Sequence, residues 1–278
     1  VVSEQESLYG WVRVLDFPEK DIRILTSDAS VIGAETHSVG ETRLTYQIIA
    51  DAMPALRPGS RRVLLIGQGA GHIAMALDRL YGIETDTIEI DPAVAEAART
   101  YFGFRPNGKS IVGDARYEVS QLKGPYDLII HDCFTGGADP THLLTQEFFQ
   151  RLKGMLRPDG ILAINTVGFY EKGKNPAMAS VGKTLDAVFL HRMVFVAMPG
   201  EDFNDFVMVG SDRPLQLDLE GIPSGVKDFL QPRIVEVDAS KGLLLTDDFN
   251  PYADLQLRKS EKYRQLVTEW IGLKLMLR

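Results

Sequence analysis

The chain has 278 residues, 45% of them hydrophobic, with 38 acidic side chains against 30 basic ones and a net charge of -8. That length supports a full-sized core. The acidic balance speaks against nucleic acid as a partner, because such binders carry a basic footprint. A single cysteine, Cys133, rules out an intrachain disulfide, no apolar run approaches the roughly 20 residues that span a bilayer, and no secretory signal pattern is present.

In chain order, residues 1–35 read as extended. Tyr9 to Leu15 mixes aromatic and β-branched residues, Asp21 to Leu25 partly alternates, and Pro18-Glu19-Lys20 makes a turn between them. A small β-hairpin unit over residues 1–40 is expected. From Glu41 onward, Leu44, Ile48, Ile49 and Ala52 fall at helical intervals, and Pro54 and Pro58-Gly59-Ser60 end that helix. Val63 to Ile66 is an all-apolar strand, suited to the buried centre of a parallel sheet. A glycine turn follows, then a helix from about His72 to Tyr81. Strands are expected at Asp86–Ile90, Lys109–Val112, Tyr126–Ile130 and Gly160–Asn165, with helices at Pro92–Tyr101 and Gln146–Leu156 and a turn at Arg157-Pro158-Asp159-Gly160. Residues 178–190 look helical, His191–Ala197 and Asp205–Gly210 form a closing strand pair, and 211–278 is a mixed tail. Strands alternating with helices give an α/β, Rossmann-like fold over 41–278. With Val1 at its start, the chain reads as a trimmed or processed piece.

Three chemical signals lie at the carboxyl ends of three successive strands. Gly67-Gln68-Gly69-Ala70-Gly71 follows the first, where glycines let backbone approach a ligand and present N–H groups. Its G-x-G-x-G spacing suits an S-adenosylmethionine site better than a dinucleotide site. Glu89, about 20 residues on, is placed to accept hydrogen bonds from ribose hydroxyls, whereas Asp91 before Pro92 reads as a helix cap. Gly113-Asp114-Ala115 puts a carboxylate where an adenine amino group would lie, though a turn acid would look the same. Ligands of open α/β sheets bind at this edge, so an adenosine-type ligand is expected.

Together with Ile88 to Val94, Val112 to Arg116, Tyr126 to Asp132 and Leu144 to Phe149, these motifs resemble the spermidine synthase (polyamine aminopropyltransferase) family, in its divergent, sometimes membrane-fused branch. The likeness runs from about Tyr9 to Val167. It implies an S-adenosylmethionine-dependent transferase fold, a co-substrate that is S-adenosylmethionine or its decarboxylated form, and a small-molecule amine acceptor. Asp132 would serve the attacking amine, since a carboxylate at the end of the fourth strand can orient it and take its proton. Gly67, Gln68, Gly69, Ala70, Glu89, Asp114 and Ala115 would bind the co-substrate. Tyr46, Gln47, Thr135 and Asp247 would bind the acceptor, with Glu41 and Asp248 as further candidates.

Three positions depart from the family pattern. Its glycine motif usually carries Asp where this chain has Ala70, a second acid stands where this chain has Thr135, and a Gln often follows the N-terminal Tyr where this chain has Gly10. Losing the acid at position 70 would let the pocket accept intact S-adenosylmethionine. Methyl or aminocarboxypropyl transfer is therefore the alternative reading, and a silent ligand-binding domain the third. The five histidines show no metal-ligand spacing, so no metal is expected. Trp270 with Ile271, Leu273 and Leu275 suits either a core helix or an oligomer contact. A homodimer, a membrane segment outside this chain, and a cytoplasmic location, alone or as the cytoplasmic part of a membrane-attached protein, are further expectations.

Overall fold

A computed structural model describes residues 1–134, 137–171 and 173–272. The first unit is larger than a hairpin. It is a five-stranded antiparallel meander: β1 (Ser3–Glu6), β2 (Trp11–Phe17), β3 (Ile22–Ser27), β4 (Ser30–Thr36) and β5 (Glu41–Thr42). Glu41 and Thr42 pair with Thr36 and Glu35, so the expected helix starts later, at α1 (Thr45–Asp51).

The main sheet is built from β6 (Arg62–Ile66), β7 (Glu84–Glu89), β8 (Ser110–Val112), β9 (Tyr126–His131), β10 (Leu156–Phe169), β11 (His191–Val196), β12 (Phe203–Ser211) and β13 (Ile234–Val235). Their spatial order is β13-β11-β12-β10-β9-β6-β7-β8. The stretch from β10 to β8 is parallel, and β12, β11 and β13 add antiparallel partners. Val63, Leu64 and Leu65 are fully buried, which matches a strand covered on both faces. The predicted turn at 157–160 is a bulge inside β10, where pairing jumps from Leu156 opposite Tyr126 to Ile161 opposite Leu128.

The covering helices are α2 (His72–Tyr81), α3 (Pro92–Tyr101), α4 (Ala115–Gln121), α5 (Gln146–Gly154), α6 (Pro176–Asp186), α7 (Val226–Leu230), α8 (Tyr252–Leu255) and α9 (Leu257–Ile271). Local chemistry sets several starts. Asp91 caps α3 by accepting from Ala93 N–H at 2.8 Å, with Pro92 at the first helical position. Thr145 caps α5, with Glu147 in its first turn and Arg151 and Lys153 in its last. Helix α5 stops at Gly154 because Leu156 is already paired in the sheet.

Two apolar clusters cover the faces of the main sheet, one with Phe148, Phe149 and Tyr252, the other with Ile49, Leu77 and Phe195. A further cluster joins the chain's extremes. Leu15, Ile24, Val31 and Ala34 of the first sheet pack on Val267 and Ile271 of α9. No described helix is long and apolar enough to cross a membrane.

Candidate active site

Strand β6 is followed in sequence by β7 and β8 on one side, and the chain then returns to place β9 on the other. That reversal opens a crevice at the carboxyl edge between β6 and β9, the usual ligand position in open α/β sheets. Here it is a cavity of about 620 Å³. The loops after β6 and β9 touch at its floor, where Asp132 N–H donates to Ile66 O at 2.7 Å. Gly67 has φ +87°, and a Cβ there would lie 2.0 Å from the Asp132 carbonyl oxygen. At Gly69, φ is +54° and a Cβ would lie 2.7 Å from Ile32 O. Both positions require glycine, through a left-handed backbone and through contact with neighbouring chain.

Glu89, at the end of β7, locks this turn. Its Oε2 accepts from Gly69 N–H and its Oε1 from Asp91 N–H, each at 3.1 Å. Burial pushes its carboxyl up to about 7, against the pull of those backbone donors. Asp114 lines the cavity too, but one oxygen caps α4 by accepting from Tyr117 N–H at 3.1 Å, while the other faces His142 Nε2 at 3.4 Å. Asp114 thus caps a helix and borders the cavity at once, on the same side as the bare turn and Glu89.

Asp132, just past β9, stands on the other side of the crevice. Asn165 of β10 donates its Nδ2–H to Asp132 Oδ1 at 2.9 Å, and the Tyr46 hydroxyl donates to the same carboxylate. Burial pushes Asp132 up to about 7. The two donors oppose this, and the neighbouring Asp205 adds to it. A carboxyl in that range can exchange a proton near neutrality. Adjacent Cys133 also lines the cavity, and burial holds its thiol well above the usual range, which disfavours a thiolate.

The far wall is α9, which supplies Tyr263, Leu266, Val267 and Trp270. Lys259 pins it from below. The ammonium pairs with Asp139 Oδ2, an oxygen that also accepts from Tyr252 Oη at 2.6 Å and Thr166 Oγ1 at 2.7 Å. The Lys259 and Asp139 side chains are 2% and 1% exposed. From above, Tyr263 Oη accepts from Val31 N–H at 3.1 Å.

The spermine/spermidine synthase domain family matches residues 44–200, more than half of the chain. A polyamine aminopropyltransferase from Vibrio vulnificus is 30% identical, over 90% of each chain. The chain belongs to the spermine/spermidine synthase family. An N-terminal histidine N-methyltransferase from Emericella nidulans is 34% identical over 60% of this chain, which spans only 34% of that protein's length. Among solved structures, a probable spermidine synthase from Corynebacterium glutamicum superposes with a TM-score of 0.68 at 21% identity, covering 78% of this chain and 82% of that one. The family's fold, a Rossmann-like S-adenosylmethionine-dependent transferase sheet behind a small N-terminal sheet, is the fold of this chain.

Set against the residues expected of this spermidine synthase relative, Gly67, Gly69, Glu89, Asp114, Ala115, Asp132 and Tyr46 share the cavity wall. Four others lie elsewhere. Gln68 is buried and turned toward the sheet, accepting from Thr87 Oγ1 at 3.2 Å. Ala70 is fully buried against the first sheet among Val12, Val14 and Leu25, so close to Gly33 that a Cβ there would sit 2.5 Å from its own. Gln47 is buried and tied to Thr42 Oγ1 and Tyr46 Oη. Asp247 pairs with Arg116 beside Glu147 and Arg151, in a separate surface depression. Thr135 lies outside the described residues. At Gly10 a Cβ would meet Ser27 Oγ at 2.7 Å, so the family's glutamine would require the Ser27 side chain to shift. Glu41 meets Arg79 at 3.9 Å. Among the described residues, no cluster of His, Cys, Asp and Glu could hold a metal.

Asn165, Asp205, His142, Tyr263 and Trp270 line the cavity without a motif to announce them. Asn165 could have been noticed as the polar end of an apolar run, and Asp205 as an acid at the head of one. Nothing in the sequence signals that α9 closes the site.

Proposed function

We propose that the chain is an aminopropyltransferase that moves the aminopropyl group of decarboxylated S-adenosylmethionine to a small amine. The observation that carries this reading is one carboxylate: Asp132, steadied by Asn165 and Tyr46, facing the same cavity as Glu89. Glu89 accepts the ribose hydroxyls, the cavity side of the Gly67–Gly69 turn leaves space for the nucleoside, and Asp114 uses its uncapped oxygen toward the adenine amino group. Asp132 orients the incoming ammonium and takes one proton from it. The amine nitrogen then forms a bond to the propyl carbon as the carbon–sulfur bond breaks, and the electron pair stays on sulfur. Methylthioadenosine leaves neutral, the product is a secondary ammonium, and one proton is released through Asp132. Because the sulfonium is already a good leaving group, the protein's contribution is orientation and deprotonation.

A second reading, transfer from intact S-adenosylmethionine, draws on a relative, a histidine N-methyltransferase. Ala70 does not support it, because its side chain is buried under Gly33 and does not face the cavity. Product analysis separates the two. The purified chain is incubated with either sulfonium compound and a panel of amines. Methylthioadenosine from the decarboxylated form is the expected product. S-adenosylhomocysteine as the sole product would replace the first reading by the second.

A further inference from the structure

A segment near the C-terminus reaches the wall of the cavity from outside. Thr246 and Phe249 close a turn on each other, Thr246 N–H donating to Phe249 O and Phe249 N–H to Thr246 Oγ1, each at 3.0 Å. That turn presents Asp247, whose carboxylate pairs with Arg116 of α4. Arg116 stands two residues past Asp114. Its guanidinium also donates to His142 O, and to Thr145 Oγ1 at 3.3 Å. One side chain thus joins the start of α4, the short 3-10 turn Thr141–Leu143 and the 245–250 segment.

That segment grips the 3-10 turn and the start of α5 directly as well. Asn250 Nδ2–H donates to Thr141 O at 2.8 Å, Asp247 N–H to Glu147 Oε2 at 2.9 Å, and Gln146 N–H to Leu245 O at 2.8 Å. What they hold is cavity wall. Pro140, His142 and Leu143 line the cavity, and His142 Nε2 is 3.4 Å from Asp114 Oδ2. Within the turn, Leu143 and Leu144 N–H donate to Pro140 O and Thr141 O, each at 3.1 Å. A single turn of that length does not hold its shape unaided. The Arg116 and Asp247 side chains are 33% and 40% exposed, and an ion pair so open to water adds little to stability. Its effect is on geometry, because a planar guanidinium with fixed donors sets the relative positions of the groups it joins.

We propose that Arg116 and Asp247 are positioning residues that clamp the 140–143 wall against Asp114, so that selection of a 6-amino purine depends on a segment 131 residues from Arg116. This rests on the aminopropyl-transfer reading, in which the adenine amino group meets Asp114. A loosened wall lets the base drift from that carboxylate, at a loss to a 6-amino group, which donates, and none to a 6-oxo group, which does not.

The test titrates methylthioadenosine and its 6-oxo analogue, methylthioinosine, by calorimetry into wild type, Arg116→Gln, Asp247→Ala and the double variant. Wild type should prefer the 6-amino base. Each single variant should weaken methylthioadenosine roughly 3- to 10-fold, about one hydrogen bond, and leave methylthioinosine in place, so the preference shrinks. The double variant should match Arg116→Gln alone, since both residues act through one pair. Absence of the preference in wild type, equal losses on both nucleosides, additive losses in the double variant, or no loss overturns the proposal. Hydrogen exchange at the Leu143 and Leu144 amides reads the clamp without ligand and should quicken at least tenfold in both single variants. Unchanged exchange overturns the clamp whatever binds. If wild type binds neither nucleoside, it is the transfer reading that fails, and faster exchange in the variants still supports the clamp.

Discussion

The two halves of the cavity are assembled in different ways. The half proposed for the nucleoside is local: the glycine turn, Glu89 and Asp114 each follow their own strand, and each is fixed by backbone within a few residues or by the next strand over. The half proposed for the acceptor is distant. Asp132 is steadied from β10 and α1, Asp205 arrives from β12, and the outer wall comes from α9. The first kind of site, the Arg116 clamp apart, tolerates change in the remainder of the chain. The second depends on the whole sheet order being right, and it is where members of one family can differ.

The comparison breaks most sharply at Asp132. Asp132→Asn should lower kcat by about 10²- to 10⁴-fold, the usual range for losing a general base, while co-substrate affinity measured by calorimetry changes little. Loss of affinity with retained kcat would move Asp132 into the nucleoside half. Next, Lys259→Ala leaves Asp139 buried without its ion partner and should cost about 3–5 kcal/mol of stability, read from chemical denaturation. A cost below 1 kcal/mol would mean that α9 is held by its apolar face alone. Glu89→Gln should weaken co-substrate binding roughly 10- to 100-fold with little effect on acceptor KM. Trp270→Ala, at a residue 48% exposed, should raise acceptor KM only a few-fold, about 1 kcal/mol or less.

A pH comparison sharpens the same contrast. Asp132 is raised from its ordinary value of 3.8 to about 7. Between those limits the folded state holds a proton that the unfolded chain has lost, so this group's contribution to stability declines as pH rises from about 4 to about 7 and is flat above. Asp16, held low by its hydrogen bond from Arg23, acts in the opposite sense, its contribution disappearing as pH falls. The Asp132 effect is therefore read as a difference. Asp132→Asn should gain stability relative to wild type as pH is raised through that window. No change in the difference would mean that Asp132 is better solvated than its burial implies. In turnover, the same carboxyl should make kcat/KM fall as pH drops below about 7.

Much of the nucleoside half was legible because the signals are short-range. An acid at the end of a strand that alternates inward and outward is already aimed, which is why Glu89 could be picked out from sequence, and Asp91 as a cap followed from Pro92. Motif membership alone misplaced Gln68 and Ala70: both belong to the glycine turn, but their side chains leave it in other directions, one into the sheet and one under Gly33. Gln47 follows Tyr46 in sequence but is buried beside it, bonded to Thr42 Oγ1 and Tyr46 Oη, and does not line the cavity. Asp247 looked like a pocket acid and instead holds Arg116, 131 residues away. The acceptor half was mostly illegible because its residues meet only after the sheet closes. Tyr263 reaches Val31 across 232 residues, and no periodicity reports such a contact.

That last link bears on when the protein becomes competent during its own synthesis. Ribosomes make the glycine turn, Glu89 and Asp132 well before α9, so a nascent chain can shape the nucleoside half while the acceptor side stays open to water. Only when Lys259 meets Asp139 and Tyr263 meets Val31 do the early and late segments clasp one another. A chain stopped short of α9 would lack both links and the cavity wall that carries Tyr263, Leu266, Val267 and Trp270.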